Sequence, residues 1–360
     1  MMKRHCAVAA LLAGMTIATA PALHAQDADA EDGGLQKVRL LMNSGYTGAN
    51  AWLPLADDLG FFADEGIEIE FVAGKGAFTA APRMVEEGYD FGYGDFQALI
   101  EASARDPETA PIGVYVVMEN SPSVIAVSAA SDIETPADVA GKKMTAHPTD
   151  VGLNTFEQFA SKAGIDAKSI TATGLDAGWA ELLTLLKDGE TDGLFGYIST
   201  ISAAVRLNGD EVGSEVRFLE FKDVVPELYG SVLMVAPGFA EGNPEAAQGV
   251  VNAFNRGVMA AVCDPDAAIA ALVKRDDTRD PVVERLRLVE TIREDMGGAD
   301  KLAAGIGEFD SARVESLLAM TAETRGLARQ PTVDEVTTAA FLPDLELRQA
   351  VIDAAPCKAL

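Results

Sequence analysis

The first residues that could do chemistry form a polar loop at residues 43–52, whose side chains suit the binding of a small molecule. Asn43, Thr47 and Asn50 offer hydrogen-bond donors and acceptors. Tyr46 adds a ring that could stack on a flat ligand in a pocket with a few convergent polar groups. The alternative is a plain turn that owes its shape to the two glycines of the loop.

A second loop, at residues 74–79, has a pattern that can hold an anion. Lys75 and Gly76 belong to a Gly-x-Gly stretch between a predicted strand and a predicted helix, where backbone N–H groups can face an anion. The third glycine of a dinucleotide-binding loop is missing, so a nucleotide is not expected. Phe78 and Thr79 complete the loop. Lys75 is the one cation that we expect near the site, and its alternative is a solvated surface charge.

Two further loops each place an aspartate before a predicted helix. Asp95 could cap the first turn of its helix or bind a cationic group. Phe96, which follows it, could line the pocket or pack in the core. In the fourth loop, Thr149 and Asp150 open another predicted helix, and the same two roles, capping and ligand contact, apply to them.

Two aromatic residues and one amide extend this candidate site. Trp179 and Tyr197 follow predicted strands closely enough to form walls of the pocket, with the protein core as the alternative. Asn120 lies where the chain first crosses between two predicted halves. Together with the loops, these residues favour a neutral or zwitterionic small molecule, with an aromatic ring as one option.

The chain lacks the residues of common catalytic sites. Of its three histidines only His147 lies outside the first 25 residues, which nearly excludes a histidine-rich zinc site. No Gly-x-Ser-x-Gly hydrolase motif occurs. We therefore predict binding without catalysis, cofactor or metal. Cys263 and Cys357 are predicted to form a disulfide in an oxidising compartment, with two separate thiols as the alternative.

The first 25 residues are predicted to be a secretory signal peptide. Lys3 and Arg4 precede an apolar run at residues 6–22 that is short for a membrane span, and small residues follow it. An N-terminal anchor is the alternative. Residues 26–36 have the composition of a flexible acidic leader. The predicted location is the periplasm, and a net charge of −28 argues against a nucleic-acid partner.

Secondary-structure elements must position these loops. Along the chain, short apolar runs alternate with amphipathic helical runs, and the resulting β-α-β-α-β order occurs twice. This order predicts two α/β lobes with parallel sheets, one long helix at residues 52–65 and a wholly helical stretch at residues 243–325. The ligand is expected at the carboxyl ends of the strands, which face each other across a cleft. The predicted divisions of the ordered chain are 37–120 with 232–330 for lobe 1, 121–231 for lobe 2 and 331–360 for a C-terminal tail.

Several segments resemble one family of receptors. They include a strand that ends in a polar loop, an Ala-x-x-x-Gly-Phe-Phe-x-x-Glu-Gly helix end and a Pro-x-Asp-Val-x-Gly-Lys-Lys turn. In this order along the chain, they resemble the SsuA/THI5-like (NMT1/THI5-like) substrate-binding proteins, which bind thiamine precursors and alkanesulfonates. The matching segments are residues 43–50, 56–66, 87–92, 133–143 and 186–193.

The resemblance implies a type II periplasmic-binding-protein fold: two α/β lobes with a hinge and a helical C-terminal part. It implies a monomeric receptor that delivers a small organic molecule, pyrimidine-like, aromatic or sulfonate-like, to the permease and ATPase subunits of an ABC importer. One alternative is a pyrimidine-synthesis enzyme of the same fold, whose cysteine-rich iron site this chain lacks. The other is a periplasmic ligand sensor.

Overall fold

Two five-stranded sheets form the framework of the protein. The structure is a computed structural model, and it describes residues 34–350. Strands β3, β4, β5, β6, β8 and β10 are buried for most of their length, whereas β1, β2 and β9 are partly buried and β7 is exposed. The strands are β1 Gln36–Leu41, β2 Ile67–Val72, β3 Phe91–Asp95, β4 Ile112–Val116, β5 Ser123–Ser128, β6 Lys143–Ala146, β7 Thr171–Gly174, β8 Gly193–Tyr197, β9 Val216–Glu220 and β10 Ser231–Val235.

Helices connect the strands and make up most of the C-terminal third. The α-helices are α1 Trp52–Asp58, α2 Phe61–Asp64, α3 Ala80–Glu87, α4 Phe96–Arg105, α5 Val151–Asn154, α6 Phe156–Ala163, α7 Trp179–Lys187, α8 Ile198–Leu207, α9 Phe221–Val224, α10 Pro237–Gly242, α11 Pro244–Cys263, α12 Pro265–Arg275, α13 Pro281–Glu290, α14 Gly298–Ala304, α15 Ser311–Arg325 and α16 Val333–Val336. Several short turns of 3-10 helix and one π-helical turn at Thr291–Asp295 complete the secondary structure. Within residues 34–350, no helix combines the length and the apolar character that a membrane span requires.

Both sheets are mixed, which corrects the prediction of parallel sheets. The first sheet has the order β2-β1-β3-β10-β4, and the second has the order β7-β6-β8-β5-β9. Strand β10 is antiparallel to β3 and β4, and strand β5 is antiparallel to β8 and β9. Each of these two strands, β10 and β5, is the first strand after the chain crosses from one sheet to the other. The direction of a strand after such a crossing is set by the point at which the chain enters the sheet, which no local pattern shows.

The predicted helix at residues 52–65 is two helices. Helix α1 ends at Asp58, and Gly60 has the left-handed conformation with φ of 75° before α2 begins. A residue with a side chain adopts that conformation only at a cost, so glycine marks the break. The apolar spacing continues across the break because both helices pack on the same core, and this continuity suggested a single helix.

The C-terminal stretch is not wholly helical. After α14 the chain runs extended at residues 305–310, and Gly307 forms a β-bridge with Val116 at the edge of the first sheet. Thr337, beyond α16, forms another bridge with Gly113 on the same strand. The last part of the described chain therefore returns to the first sheet.

Helix α15 packs against both halves of the molecule. Its buried residues Val314, Leu317 and Leu318 belong to an apolar cluster that also contains Phe96 and Leu99 of α4. The same cluster includes residues of the second sheet and of the helix beside it, namely Ile125, Met144, Phe156, Phe159, Phe195 and Phe221. We call it the shared core, because side chains from both sheets fill it.

Arg313, at the start of α15, ties the two crossing segments together. Its guanidinium donates hydrogen bonds to the carbonyl oxygen of Glu119 at 2.7 Å on the first crossing. It also donates to the carbonyl oxygens of Leu228 at 2.8 Å and Glu227 at 3.1 Å on the second crossing. The same group lies 3.6 Å from the ring centroid of Tyr229. One side chain thus holds both connections between the lobes.

Some predictions lie outside the described residues. The signal peptide and most of the leader fall there, and so does Cys357, so its pairing with Cys263 stays a prediction. The divisions of the chain into lobes and tail, given by residue number above, also stay predictions.

Candidate functional site

A cavity of about 440 Å³ lies between the two sheets, where loops from both lobes meet. It is bounded by segments that follow β1, β2, β6, β7 and β8, and by Arg279 before α13 and Arg287 within it. Its lining residues are Asn43, Ser44, Thr47, Ala49, Gly74, Lys75, Gly76, Ala77, His147, Thr149, Asp150, Val151, Trp179, Tyr197, Thr200, Arg279 and Arg287. Eight of the predicted site residues are therefore brought together: Asn43, Thr47, Lys75, Gly76, Thr149, Asp150, Trp179 and Tyr197.

The lobes touch at one side of this cavity. The Thr149 hydroxyl, in the loop after β6, donates a hydrogen bond to the Lys75 carbonyl oxygen at 3.1 Å, in the loop after β2. A β-carbon added at Gly76 would lie 2.6 Å from the Thr149 hydroxyl oxygen, so the backbone of one lobe approaches the other closely. The structure is therefore a closed form, with the cavity between the lobes.

Three cationic side chains line the cavity: Lys75, Arg279 and Arg287. The expectation that Lys75 is the only nearby cation is wrong, because the helical C-terminal part supplies two more. Arg279 pairs with Asp276 at 2.8 Å, and Arg287 pairs with Glu284 at 3.0 Å. The Nε atom of Arg287 is buried without a hydrogen-bond partner in the described chain. These groups can attract and orient an acidic group of a ligand.

A partial signal for these arginines is present in the sequence. Asp280 and Pro281 form the cap-and-proline pattern of a helix start, and the Asp280 carboxylate does accept from the Val282 and Val283 N–H groups. This pattern locates the helix but not the face that it turns to the cleft. That face is set by packing of α13 on α8 and on the turn at Gly48–Asn50.

Aromatic rings form another wall of the cavity. Trp179 is half-buried, and its ring lies edge-on to His147 with 5.6 Å between the ring centroids. Tyr197 is also half-buried, but its hydroxyl oxygen is enclosed. Rings in this arrangement can contact a flat or apolar part of a ligand.

Within the first loop, the structure separates wall residues from supporting residues. Asn43 and Thr47 line the cavity. Asn50 is fully buried, and its amide donates hydrogen bonds to the Asn43 Oδ1 atom and the Gly45 carbonyl oxygen, each at 3.0 Å. Tyr46 packs instead against the apolar core of the first lobe. Asn50 therefore orients Asn43, and Tyr46 lies away from the cavity lining.

Five other predicted residues also lie away from the cavity lining. Phe78 and Thr79 line a second cavity of about 410 Å³ between α3 and α4. Asp95 caps α4, and Phe96 packs in the shared core against Phe309. Asn120 donates a hydrogen bond to the Glu294 carbonyl oxygen at 2.8 Å, so it fastens the crossing segment.

Two enclosed carboxyl groups lie close to the cavity. Burial raises the pKa of Asp95 from 3.8 to about 8, against the opposing effect of the Ala98 and Gln97 N–H donors. Burial also raises the pKa of Asp150 to about 6, although the residue as a whole is only partly buried. The Glu101 and Asp150 charges add to the rise in the pKa of Asp95.

Replacing Asp95 with asparagine is expected to weaken the pH dependence of stability. The folded protein keeps the Asp95 proton up to about pH 8, whereas the unfolded chain releases it near 3.8. The folded state binds more protons between these values, so this contribution to stability is lost as the pH rises through that window. Asparagine still caps the helix but does not titrate.

Urea unfolding at several pH values measures this effect. The fall in the free energy of unfolding from pH 5 to pH 8 should be smaller in Asp95→Asn than in the wild type. Asp166→Asn, which alters an exposed cap in the second lobe, should leave the fall unchanged. An equal fall in Asp95→Asn and the wild type would contradict the assignment.

A group of buried hydroxyls continues the polar surface inward from Tyr197. Ser231 lies opposite Asp95 in the first sheet, and Ser123 lies opposite Tyr197 in the second sheet. The Ser231 hydroxyl interacts with the hydroxyls of Tyr93 and Tyr197, and the Ser123 hydroxyl oxygen is buried without a hydrogen-bond partner in the described chain. Such groups are costly to bury unless something satisfies them.

A search for metal-binding groups gives no candidate in residues 34–350. No set of three or more histidine, cysteine, aspartate or glutamate side chains there could hold a metal ion.

Comparison with known proteins identifies a family and similar structures for this fold. A model of the family described as NMT1/THI5 like matches residues 50–268. No curated protein sequence matches the chain. The alkanesulfonate-binding protein SsuA from Xanthomonas axonopodis pv. citri, bound to MOPS, has a TM-score of 0.63 and 18% identity over 85% of this chain and 99% of its own.

Two further solved structures are similar. The periplasmic aliphatic sulphonate-binding protein SsuA from Escherichia coli has a TM-score of 0.62 and 20% identity, over 83% of this chain and 91% of its own. A mutant of the desulfurization enzyme DSZB in complex with biphenyl-2-sulfinic acid has a TM-score of 0.59 and 13% identity, over 86% of this chain and 98% of its own. At these identities the likeness shows the fold, which is shared by binding proteins and an enzyme.

Proposed function

The chain belongs to the NMT1/THI5-like family, and on this premise we propose that it is a periplasmic solute-binding protein. It would deliver a small organic molecule to the permease and ATPase of an ABC importer, and it would act as a monomer. The observation that carries the proposal is the cavity of about 440 Å³ closed between two lobes by the contact of Thr149 with Lys75.

The lining supports a ligand that is both polar and flat or apolar in part. Asn43, Thr47 and Thr200 supply hydrogen-bonding groups, and Trp179 supplies a ring. The cationic side chains support an acidic group, which fits the sulfonate-binding relatives described above. The proposal also includes pyrimidine-like and aromatic ligands, because the aromatic rings of the cavity wall can contact both kinds of molecule.

Binding without conversion is supported by the composition of the site. The described cavity lining contains no cysteine and no serine–histidine pair joined by a hydrogen bond, and Cys263 lies at the end of α11 instead. The desulfurization enzyme described above has the same fold, so the experiment must exclude chemical conversion of the ligand. Mass spectrometry of the recovered ligand distinguishes the two, since a binding protein returns it unchanged.

Thermal unfolding with a panel of ligands tests the proposal. The panel contains sulfonates, pyrimidines, flavins, amines and aromatic acids. A true ligand at about 100 times its Kd should raise the free energy of unfolding by about 2.7 kcal/mol. Trp179→Ala should remove this increase, because it takes away the aromatic wall of the cavity.

Tyr46→Phe is the matched control, since Tyr46 lies outside the cavity lining and phenylalanine keeps its packing on the core. This variant should retain the full increase. If no compound stabilises the wild type, or if a compound is converted during the assay, the proposal is wrong. If Trp179→Ala binds as the wild type does, the cavity is not the binding site.

A further inference from the structure

We propose that the cavity opens between helices α8 and α13, and that two ion pairs across this contact, Arg206–Glu290 and Lys222–Glu294, form a latch that keeps it closed. We call the contact between the two helices the seam. The inference rests on the proposed function, because a solute-binding protein must admit and release its solute. It specifies which side of the cavity opens and which interactions must break.

The seam joins the two lobes and borders the cavity. Helix α8 follows β8 of the second sheet, and it contributes Thr200 to the cavity lining. Helix α13 contributes Arg287 to the same lining. It is fastened to the first lobe, because the Gly48 N–H donates to the Glu284 carboxylate at 2.7 Å. Separation of α8 from α13 would therefore expose the cavity to solvent.

Apolar side chains contribute little to the cohesion of the seam. A cluster within the second lobe contains the apolar residues of α8, namely Ile198, Ile201, Ala204 and Val205. Leu288 of α13 belongs to the core of the first lobe. Among the residues that the structure describes, no buried apolar cluster contains side chains of both helices. The hydrophobic effect therefore stabilises each side of the seam separately.

The face of α8 that carries Arg206 is polar. Ser199 and Ser202 lie seven and four residues before Arg206, a spacing that places all three on one side of a helix. Each serine is 1% exposed, and its hydroxyl oxygen has no hydrogen-bond partner in the described chain. Opening of the seam would let water satisfy these hydroxyls, so their burial opposes closure.

Two ion pairs cross between the lobes at the seam. Arg206 of α8 lies 3.1 Å from Glu290, the last residue of α13. Lys222 of α9 lies 2.7 Å from Glu294, in the π-helical turn that follows α13. The Asn120 amide donates to the Glu294 carbonyl oxygen at 2.8 Å, so this turn is fixed to the first crossing segment. The four charged side chains are 21–42% exposed, and such a pair shifts an equilibrium by up to about 5-fold.

The lobes are joined more strongly at α15. Leu317 and Leu318 are at most 1% exposed and belong to the shared core, and burial of one leucine favours the buried state by roughly 10-fold or more. Arg325 at the end of α15 donates to Glu101 of α4 at 3.0 Å and to Glu157 of α6 at 2.9 Å, so it contacts both lobes. The weaker contact should yield first, which favours opening at the seam.

Chemical labelling of a cysteine placed in the cavity measures opening without any ligand. Ala49 lines the cavity and is 8% exposed, so Ala49→Cys places a thiol where closure protects it. N-ethylmaleimide, an uncharged reagent, should modify this thiol roughly 10-fold or more slowly than the thiol of Leu59→Cys. The Leu59 side chain is 51% exposed and serves as the open reference. Mass spectrometry of the peptides that contain residues 49 and 59 gives the two rates.

Removal of the latch should accelerate labelling of Ala49→Cys. Arg206→Met and Glu290→Gln should each raise the rate about 3-fold to 5-fold, and their combination should raise it no further, because both remove the same pair. Lys222→Met and Glu294→Gln should act in the same way. If charge alone altered the thiol, removal of a cation and removal of an anion would change its reactivity in opposite directions.

Arg285→Met is the matched control. Arg285 lies on α13 but pairs at 2.6 Å with Asp266 of α12, within the helical part that contains both residues. This variant should label at the rate of its Ala49→Cys parent. An increase as large as that of Glu290→Gln would mean that α13 responds to any loss of charge, and the latch would be wrong.

The remaining outcomes separate this inference from the binding function. If Arg206→Met and Glu290→Gln leave the rate unchanged, or change it in opposite directions, the latch is wrong and the binding function stands. If Ala49→Cys reacts as fast as Leu59→Cys, the cavity is not closed and the inference fails. Failure of the binding function appears separately, as the absence of any stabilising ligand in the thermal panel.

Discussion

Replacing Gly48 with alanine is expected to lower the free energy of unfolding by about 3 kcal/mol and to weaken ligand binding severely. A β-carbon at this position would lie 2.0 Å from the Glu284 carbonyl oxygen and 2.8 Å from the Leu288 backbone nitrogen, both in α13. These are backbone atoms of a helix, so no side-chain rotation relieves the overlap. The Gly48 N–H also donates to the Glu284 carboxylate at 2.7 Å. Helix α13 would have to move, and Arg287 would move with it.

Urea denaturation and ligand titration measure the two effects. Gly238→Ala is the matched control, because a β-carbon there meets no heavy atom within 4 Å and the residue lies within α10, where alanine is well tolerated. This control should unfold like the wild type. A Gly48→Ala variant with wild-type stability would show that α13 does not pack against the first loop as described.

Replacing Arg313 with alanine is the second change with a large expected effect, a loss of about 3 kcal/mol in the free energy of unfolding. The variant loses three hydrogen bonds to carbonyl oxygens on the two crossing segments and the stacking on Tyr229. It also leaves Glu119 with Lys301 as its remaining ion-pair partner among the described residues. Since both connections between the lobes lose their tie, amide hydrogen exchange should rise in residues 117–122 and 225–230.

Arg313→Lys tests whether geometry or charge matters. Lysine keeps the positive charge, but its single ammonium group cannot reach three carbonyl oxygens in the fork arrangement of a guanidinium. Most of the loss in stability and of the gain in exchange should therefore persist. Full rescue by lysine would mean that the ion pair with Glu119 is the important interaction and that the tie between the segments is not.

The sequence was sufficient to predict the type and the order of most helices and strands. The alternation of strands and helices was predicted, because runs such as β5 and β10 are short, apolar and flanked by turn residues. The break at Gly60 was missed, since α1 and α2 turn the same kind of apolar face to one core. The antiparallel strands β5 and β10 were missed because strand direction depends on the path between lobes, not on local spacing.

The candidate site was predicted in outline but not in detail. Loops after strands were expected to meet, and residues from segments after five strands do line the cavity, although the predicted loop at Asp95 and Phe96 is not among them. Within a loop, however, neighbouring side chains point to different environments. Asn43 lines the cavity, whereas Asn50 is buried behind it and donates a hydrogen bond to the Asn43 side chain. Arg279 and Arg287 were missed because their approach depends on tertiary packing of α13.

The shared core limits how this molecule could be recombined with its relatives. Helix α15 follows both sheets in the chain, yet its apolar residues complete the interior of each. A chimera that takes one lobe from a relative would bring an inner surface shaped for a different C-terminal helix. Substitutions in the inner surface of either lobe must therefore be matched by substitutions in α15.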